Sequence, residues 1–266
     1  MADNRPNVLI LGSAPSAIAA HDWSRQGFSH IVAINNAWRI RSDWDYLIHP
    51  EDFPVESRPT DLRPGQRIIT AEDYVPLQNQ FGGFVYAGGT MAFTAGYWAL
   101  AALQPAVIAF FGCDMVYASK GQTHFYGRGT ADPLRRDVTL RSLEAKSARL
   151  ALFGAEQNCR VVRLSAGESR LVLPSVPVED LSSAAMPCTN AMHLPLAREA
   201  ECGYFEPSGR YWEVEHKFDP ARIDAIDRLW LDAYDRSGMA RVALSGVRIF
   251  ATDNLAASNA SARTGP

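Results

Sequence analysis

Val8-Leu9-Ile10-Leu11-Gly12-Ser13-Ala14-Pro15-Ser16 is an unbroken apolar run that stops at a turn of small residues, and Ile18, Ala19 and Trp23 then recur at helical spacing. Such a run reads as a strand buried on both faces, followed by a tight loop and a helix. Pro15 suits a first helical position, where a missing N–H leaves no bond unmade. A second strand at 30–34, from His30 to Ile34, closes a unit of the length a parallel βαβ crossover needs. This stretch decides the class, an α/β chain with a parallel sheet.

The pattern continues outward. Asp45 to Ile48 and Gln66 to Thr70 read as strands, Phe84 to Tyr86 as strand-like, and Ala106 to Phe111 and Arg160 to Leu164 as the last two strands of the sheet. Met91 to Leu103 is apolar on nearly every face, so its helix must be buried. A polar loop from Tyr117 to Asp137 precedes a helix at about Thr139 to Gly154. Beyond Glu168, Pro174, Pro177, Pro187 and Pro195 suggest an extended excursion. Asp219-Pro220 caps a further helix whose apolar face is Ile223, Ile226, Trp230 and Tyr234. A hairpin of 241–244 with 247–250 across Ser245-Gly246, and a disordered tail rich in Ala, Ser and Asn, complete the reading. The expected architecture is Rossmann-like: a mostly parallel sheet flanked by helices, with a smaller C-terminal extension. Residues 1–174 form the nucleotide-binding catalytic domain, 175–252 the extension (a lid, an acceptor site or a subunit contact) and 253–266 the tail.

Of the 266 residues 47% are hydrophobic and 21% charged, with a net charge of -3, which suits a folded globular chain and gives no general attraction to nucleic acid. The arginines at 128, 135, 136 and 141 form a local basic patch, read as substrate-facing or solvated. Cys113, Cys159, Cys188 and Cys202 show no CxxC spacing and are expected to be buried free thiols. No signal peptide is read at Met1 to Pro6, and no run reaches the roughly 18 apolar residues of a membrane span, so a cytoplasmic location is expected.

Loops at the carboxyl ends of parallel strands are where α/β folds place ligands. Gly12 to Ser16 is either an anion-binding turn at a helix N-terminus or simply a tight βα turn. It matches neither GxGxxG nor GxxxxGKS, which removes the usual support for hydride transfer or P-loop phosphotransfer. Asn35, Asn36 and His49 end the next two strands, beside Glu51 and Asp52, and either read a base or ribose or cap turns. Gly88-Gly89-Thr90 opens the buried helix and offers amides, or serves close packing. Asp114 ends a very apolar strand, where a carboxylate needs a partner or a function. In the next loop His124 can take a proton, and Arg128, Tyr117 and Tyr126 can stabilise a departing phosphate; the alternative is an ordered loop with a structural histidine. Asp43-Trp44-Asp45 has the form of a metal motif but precedes a strand, so it is read as a surface or capping element, and no metal site is assigned.

The order of these motifs, Gly12 to Ser16, Ala33-Ile34-Asn35-Asn36, Gly88-Gly89-Thr90 and Phe111-Gly112-Cys113-Asp114, resembles the bacterial sialyltransferases of glycosyltransferase family 42. It equally resembles a broader group that includes flagellin-modifying motility accessory factors and archaeal-type 6-hydroxymethylpterin diphosphokinases. The resemblance spans about residues 7 to 173. It implies a Rossmann-like transferase with a CMP-linked nonulosonic acid donor, a glycan or glycoprotein acceptor, and no cofactor or obligatory metal. Gly12, Ser13, Ala14, Pro15, Ser16, Asn35 and His49 would meet the nucleotide, and Gly88, Gly89 and Thr90 the donor. His124 matches the first histidine of the family's His-x-x-x-His, while Arg128 stands at the second. Arginine stays protonated and is a poor base, so either His124 carries that role or the chemistry differs. Tyr117 and Tyr126 stand in for the family's tyrosine pair. The alternatives are a metal- and ATP-dependent diphosphokinase and a binding protein without turnover; a homo-oligomer is compatible with all three.

Overall fold

The computed structural model describes residues 4–25, 27–119, 121–129 and 132–239. The expected hairpin at 241–250 and the tail lie outside the described residues. Six strands, β1 (Asn7–Leu11), β2 (His30–Ile34), β3 (Tyr46–Ile48), β4 (Arg67–Ile69), β5 (Val107–Phe111) and β6 (Arg160–Arg163), form one sheet in the order β4-β3-β2-β1-β5-β6. Every pairing is parallel. The fold is therefore Rossmann-like α/β, with the parallel sheet complete. β1 and β5 at its centre are buried on both faces, as their unbroken apolar composition requires.

One face of the sheet is covered by α1 (Ala71–Asn79), α3 (Met91–Leu103), α4 (Leu143–Glu156) and α6 (Pro220–Arg236), which share one apolar core with β1, β2 and β5. α3 is buried nearly all round, as its composition demands. Its Gly96 admits Leu150 of α4, since a Cβ there would lie 2.7 Å from a Leu150 methyl. α6 starts as read: Asp219 caps it by accepting from the Ala221 amide at 2.9 Å, and Ile223, Ile226, Trp230 and Tyr234 all face the core. No helix of the described residues is long and apolar enough to cross a membrane.

The other face is covered by 3-10 helices, and here the sequence reading needs correction. The helix after β1 is a 3-10 helix, Pro15–Asp22, with Pro15 at its start. Its period of three moves the inward stripe to Ala17 and Ala20, with Trp23 next in line against Phe111, and leaves Ile18 half exposed. The segment expected as strand-like at 84–86 is one helical turn, α2 (Phe84–Ala87), closed by Gly83 and Gly88, both at positive φ. The helix read from Thr139 is broken at Arg141–Ser142: a 3-10 turn, Val138–Leu140, precedes α4, which Ser142 caps by accepting from Ala145. The excursion after Glu168 holds a 3-10 helix at Val178–Ser183 and α5 (His193–Cys202). Pro195 falls in the first turn of α5, where the proline ring breaks no helical hydrogen bond.

α4 and the C-terminal helices are joined by charge inside the core. Lys146 donates to Asp227 at 2.8 Å, and Arg149 grips Glu199 with two bonds of 2.8 Å. Arg149 also reaches the Tyr97 hydroxyl and the Phe81 carbonyl, while Trp230 donates to Glu199. The four cysteines are free as expected. Cys113 and Cys159, which flank β5 and β6, are buried, but Cys188, in a loop, is exposed and Cys202, at the end of α5, is only partly covered.

Candidate functional site

Strand order reverses between β1 and β5, and the loops leaving a sheet there diverge to opposite faces, opening a crevice. In this protein it is a cavity of about 680 Å³ over the carboxyl ends of the central strands. Its floor is the contact of two turns. The Gly12 amide donates to the Phe111 carbonyl at 2.8 Å, and the Ala14 amide to the Gly112 carbonyl at 3.0 Å. Gly12, Ser13 and Ala14 line the cavity; Pro15 and Ser16 do not. Two of the amides expected to cradle an anion are thus already engaged, and Gly12 itself serves the close approach of the two turns.

The ends of β2 and β3 form the next wall. Asn35 lines the cavity with its backbone in the left-handed region, φ 50°, and Asn36 lies behind it. The carbonyl oxygens of both side chains are buried without a hydrogen-bond partner in the protein. His49 is buried below the rim, outside the cavity lining, which passes instead through Pro50, Glu51 and Asp52. Its Nδ1 donates to the Pro50 carbonyl at 2.8 Å, so Nε2 is an acceptor, buried and unpartnered. Burial lowers the pKa of His49, and the ring is neutral. Met115 is a second non-glycine residue of the lining with positive φ. Non-glycine residues held in this region concentrate where a site dictates the backbone.

Opposite, Gly89 and Thr90 line the cavity at the N-terminus of α3, while Gly88 is packed behind them against Phe93 and Lys146. The sequence reading missed what surrounds them. The Gly89 amide donates to the Thr139 hydroxyl at 3.0 Å, and a Cβ on Gly89 would lie 2.5 Å from the Tyr211 hydroxyl. Asp137 accepts from Thr139 at 2.6 Å and from Tyr211 at 2.7 Å, and Arg135 donates to both Asp137 and Tyr211. Burial, the largest single influence on Asp137, pushes its carboxyl up, but the bonds from Thr139 and Tyr211 outweigh it and hold the group ionised below its ordinary range. Ser208 to Trp212 complete this wall, and Arg210 reaches Glu51 at 3.6 Å across the mouth.

His124 is the reactive side chain that the fold delivers to the cavity. Its loop doubles back through the His124 and Gly127 backbones and is pinned to the floor by the Phe125 amide, which donates to the Ser13 carbonyl at 3.0 Å. The ring is buried, stacked on Tyr126 at 5.0 Å and flanked by Tyr117 at 5.9 Å. Its Nδ1 is 2.9 Å from the Thr123 hydroxyl, which has the Gly129 carbonyl as an acceptor at 3.3 Å. Thr123 thus holds the ring through Nδ1, as donor or acceptor according to the tautomer.

Other expected residues are not brought to the site. Tyr126 is 43% exposed and presents its ring to His124 from outside the cavity. Arg128 is exposed, and its Nε donates to the Gly121 carbonyl at 3.1 Å. Asp114 turns away toward Ser165, whose hydroxyl it accepts. Of the basic patch only Arg135 lines the cavity; Arg141 pairs with Asp224 on the surface. Asp43 and Asp45 bind Arg41, Arg25 and the Ile31 amide, the structural role read for them. Among the described residues, no group of three or more His, Cys, Asp or Glu is placed to hold a metal ion.

Comparison with protein-family models, with curated proteins and with solved structures finds no match to this chain.

Proposed function

We propose that this protein is a glycosyltransferase that moves a sugar, a sialic or other nonulosonic acid, from a CMP-type nucleotide donor to a hydroxyl of a glycan or glycoprotein. The observation that carries the reading is the bond from Phe125 to Ser13, which seats His124 in the crevice at the switch point of the sheet. In this reading the nucleoside lies against Asn35, and the donor phosphate meets the α3 N-terminus at Thr90, where the helix dipole favours an anion. His124 Nε2 takes the proton of the acceptor hydroxyl as its oxygen bonds to the anomeric carbon. The bond from that carbon to the phosphate oxygen breaks, and CMP leaves. Of the residues given the charge-stabilising role from sequence, Arg128, Tyr117 and Tyr126, only Tyr117 lines the cavity, and it keeps that role, with Arg135 taking the place of Arg128. The reading includes action in the cytosol.

The alternative of a metal- and ATP-dependent diphosphokinase draws on the carboxylates of Glu51 and Asp52 at the rim. Glu51, however, is engaged by Arg210. The test is a thermal-shift screen of CMP, UMP, ATP and NAD, followed by incubation with CMP- and UDP-sugars with and without chelator. A shift led by CMP, and chelator-resistant release of CMP that His124→Ala abolishes, are expected. Full activity of His124→Ala would remove the base from the mechanism. ATP consumption with a strict metal requirement would replace the reading by the diphosphokinase, and CMP binding without product by a binding protein.

A further inference from the structure

The mouth of the crevice carries an aromatic surface beyond Asn35, Thr90 and Arg135, the contacts proposed for the donor. Trp212 forms part of its wall yet is 58% exposed, a large apolar face held at the mouth of a cavity. It is not loosely hung. Tyr211, the preceding residue, is buried, tied through its hydroxyl to Asp137, stacked on Phe84 at 6.2 Å and turned edge-on to Trp212 at 5.3 Å. Tyr74 meets Phe84 edge-on at 6.3 Å and extends the aromatic surface inward. Around this surface stand charged groups with hydrogen-bonding capacity: Glu51, Asp52 and Arg210.

We infer that this aromatic end is an acceptor subsite for a neutral pyranose, with Trp212 as its stacking face and Glu51, Asp52 and Arg210 as partners for its hydroxyls. A pyranose ring has an apolar face of C–H bonds and a rim of hydroxyls. It needs a flat aromatic surface beside carboxylates that accept from O–H, and a few fixed polar groups on an apolar wall set its orientation. A nucleobase would also stack on Trp212, but the two carboxylates of Glu51 and Asp52 against the one guanidinium of Arg210 leave a net negative charge there, which disfavours its phosphates. A neutral saccharide meets no such repulsion. The inference rests on the transferase reading, to which it adds the acceptor class.

The direct test is saturation-transfer NMR on the full chain with lactose, cellobiose and methyl galactoside. Signal transfer to ring protons is expected in the wild type, retained in Trp212→Phe and lost in Trp212→Ala at unchanged melting temperature. No transfer from the wild type to any of these sugars, or undiminished transfer in Trp212→Ala, would overturn the subsite. Displacement of the sugar signal by CMP alone would assign the surface to the nucleobase instead, and equally overturn it. In the transfer assay Trp212→Ala should raise the saccharide KM about tenfold, with kcat less affected. Absence of any product from CMP-sugars in the wild type, with the NMR signal intact, would sink the transferase reading while leaving saccharide binding in place.

Discussion

Gly12 and Gly112 meet backbone to backbone: a Cβ built on Gly12 would lie 2.3 Å from the Gly112 carbonyl oxygen and 2.6 Å from the Cys113 sulfur. The obstacle is main chain and a buried thiol, neither of which can swing aside. Gly12→Ala should therefore destabilise the protein by about 1–3 kcal/mol, the usual penalty of overpacking, and weaken nucleotide binding by parting the floor of the crevice. Urea denaturation and a CMP thermal shift check both effects; a wild-type midpoint would show that the two turns separate without strain.

Asn35 combines a backbone role with a side-chain role, and two substitutions separate them. Asn35→Gly keeps the left-handed backbone and should leave stability near wild type, whereas Asn35→Ala should lose about 1–2 kcal/mol. Both remove the amide that faces the cavity and should weaken CMP binding alike. Wild-type CMP affinity in Asn35→Gly would exclude the side chain from ligand contact.

His49 should make stability depend on pH. Its folded-state pKa lies below the ordinary value of 6.5 because burial disfavours the imidazolium. The unfolded chain then binds the proton more readily, so the contribution is fully present above that value and is lost as pH falls from it toward the depressed one. Chemical denaturation at several pH values across about 5 to 8 should show wild-type stability falling on the acid side. In His49→Gln that slope should be shallower; an identical slope would place the titration elsewhere.

The paired charges between α4 and the C-terminal helices should be expensive to break singly. Glu199→Gln or Arg149→Met leaves the opposite group uncompensated in the core, at a cost of about 3–5 kcal/mol. The double variant should cost less than the sum of the two. Strict additivity in the thermal midpoints would mean that the two side chains do not act as a pair.

What sequence made legible was whatever repeats locally. Val8 to Leu11 and Val107 to Phe111 announce doubly buried strands, Met91 to Leu103 a core helix, and Asp219-Pro220 a capped one. Convergence of Ser13, Asn35, Thr90 and His124 on one crevice also followed, because parallel strands deliver their outgoing loops to the same edge. Periodicity failed where the period itself changed, at Pro15–Asp22, and where glycine geometry turned an apolar triplet into a helical turn, at Phe84–Ala87. It was blind to partners far apart in the chain. Tyr211 and Trp212 sit in a stretch with no pattern, and nothing local ties Tyr211 to Asp137 or Glu199 to Arg149. Arg128 misled by its place in a motif, whereas Arg135, seven positions on, is the one that the loop turns inward.

The ion pairs on α4 also set an order of events during synthesis. Lys146 and Arg149 precede their partners Asp227 and Glu199 by 81 and 50 residues and leave the ribosome ahead of them, so the nascent sheet cannot close over its two cations at that stage without stranding them. Burial of α4 must wait for the acidic partners, and a chain stalled after β6 would hold its half-made nucleotide fold open to chaperones and proteases.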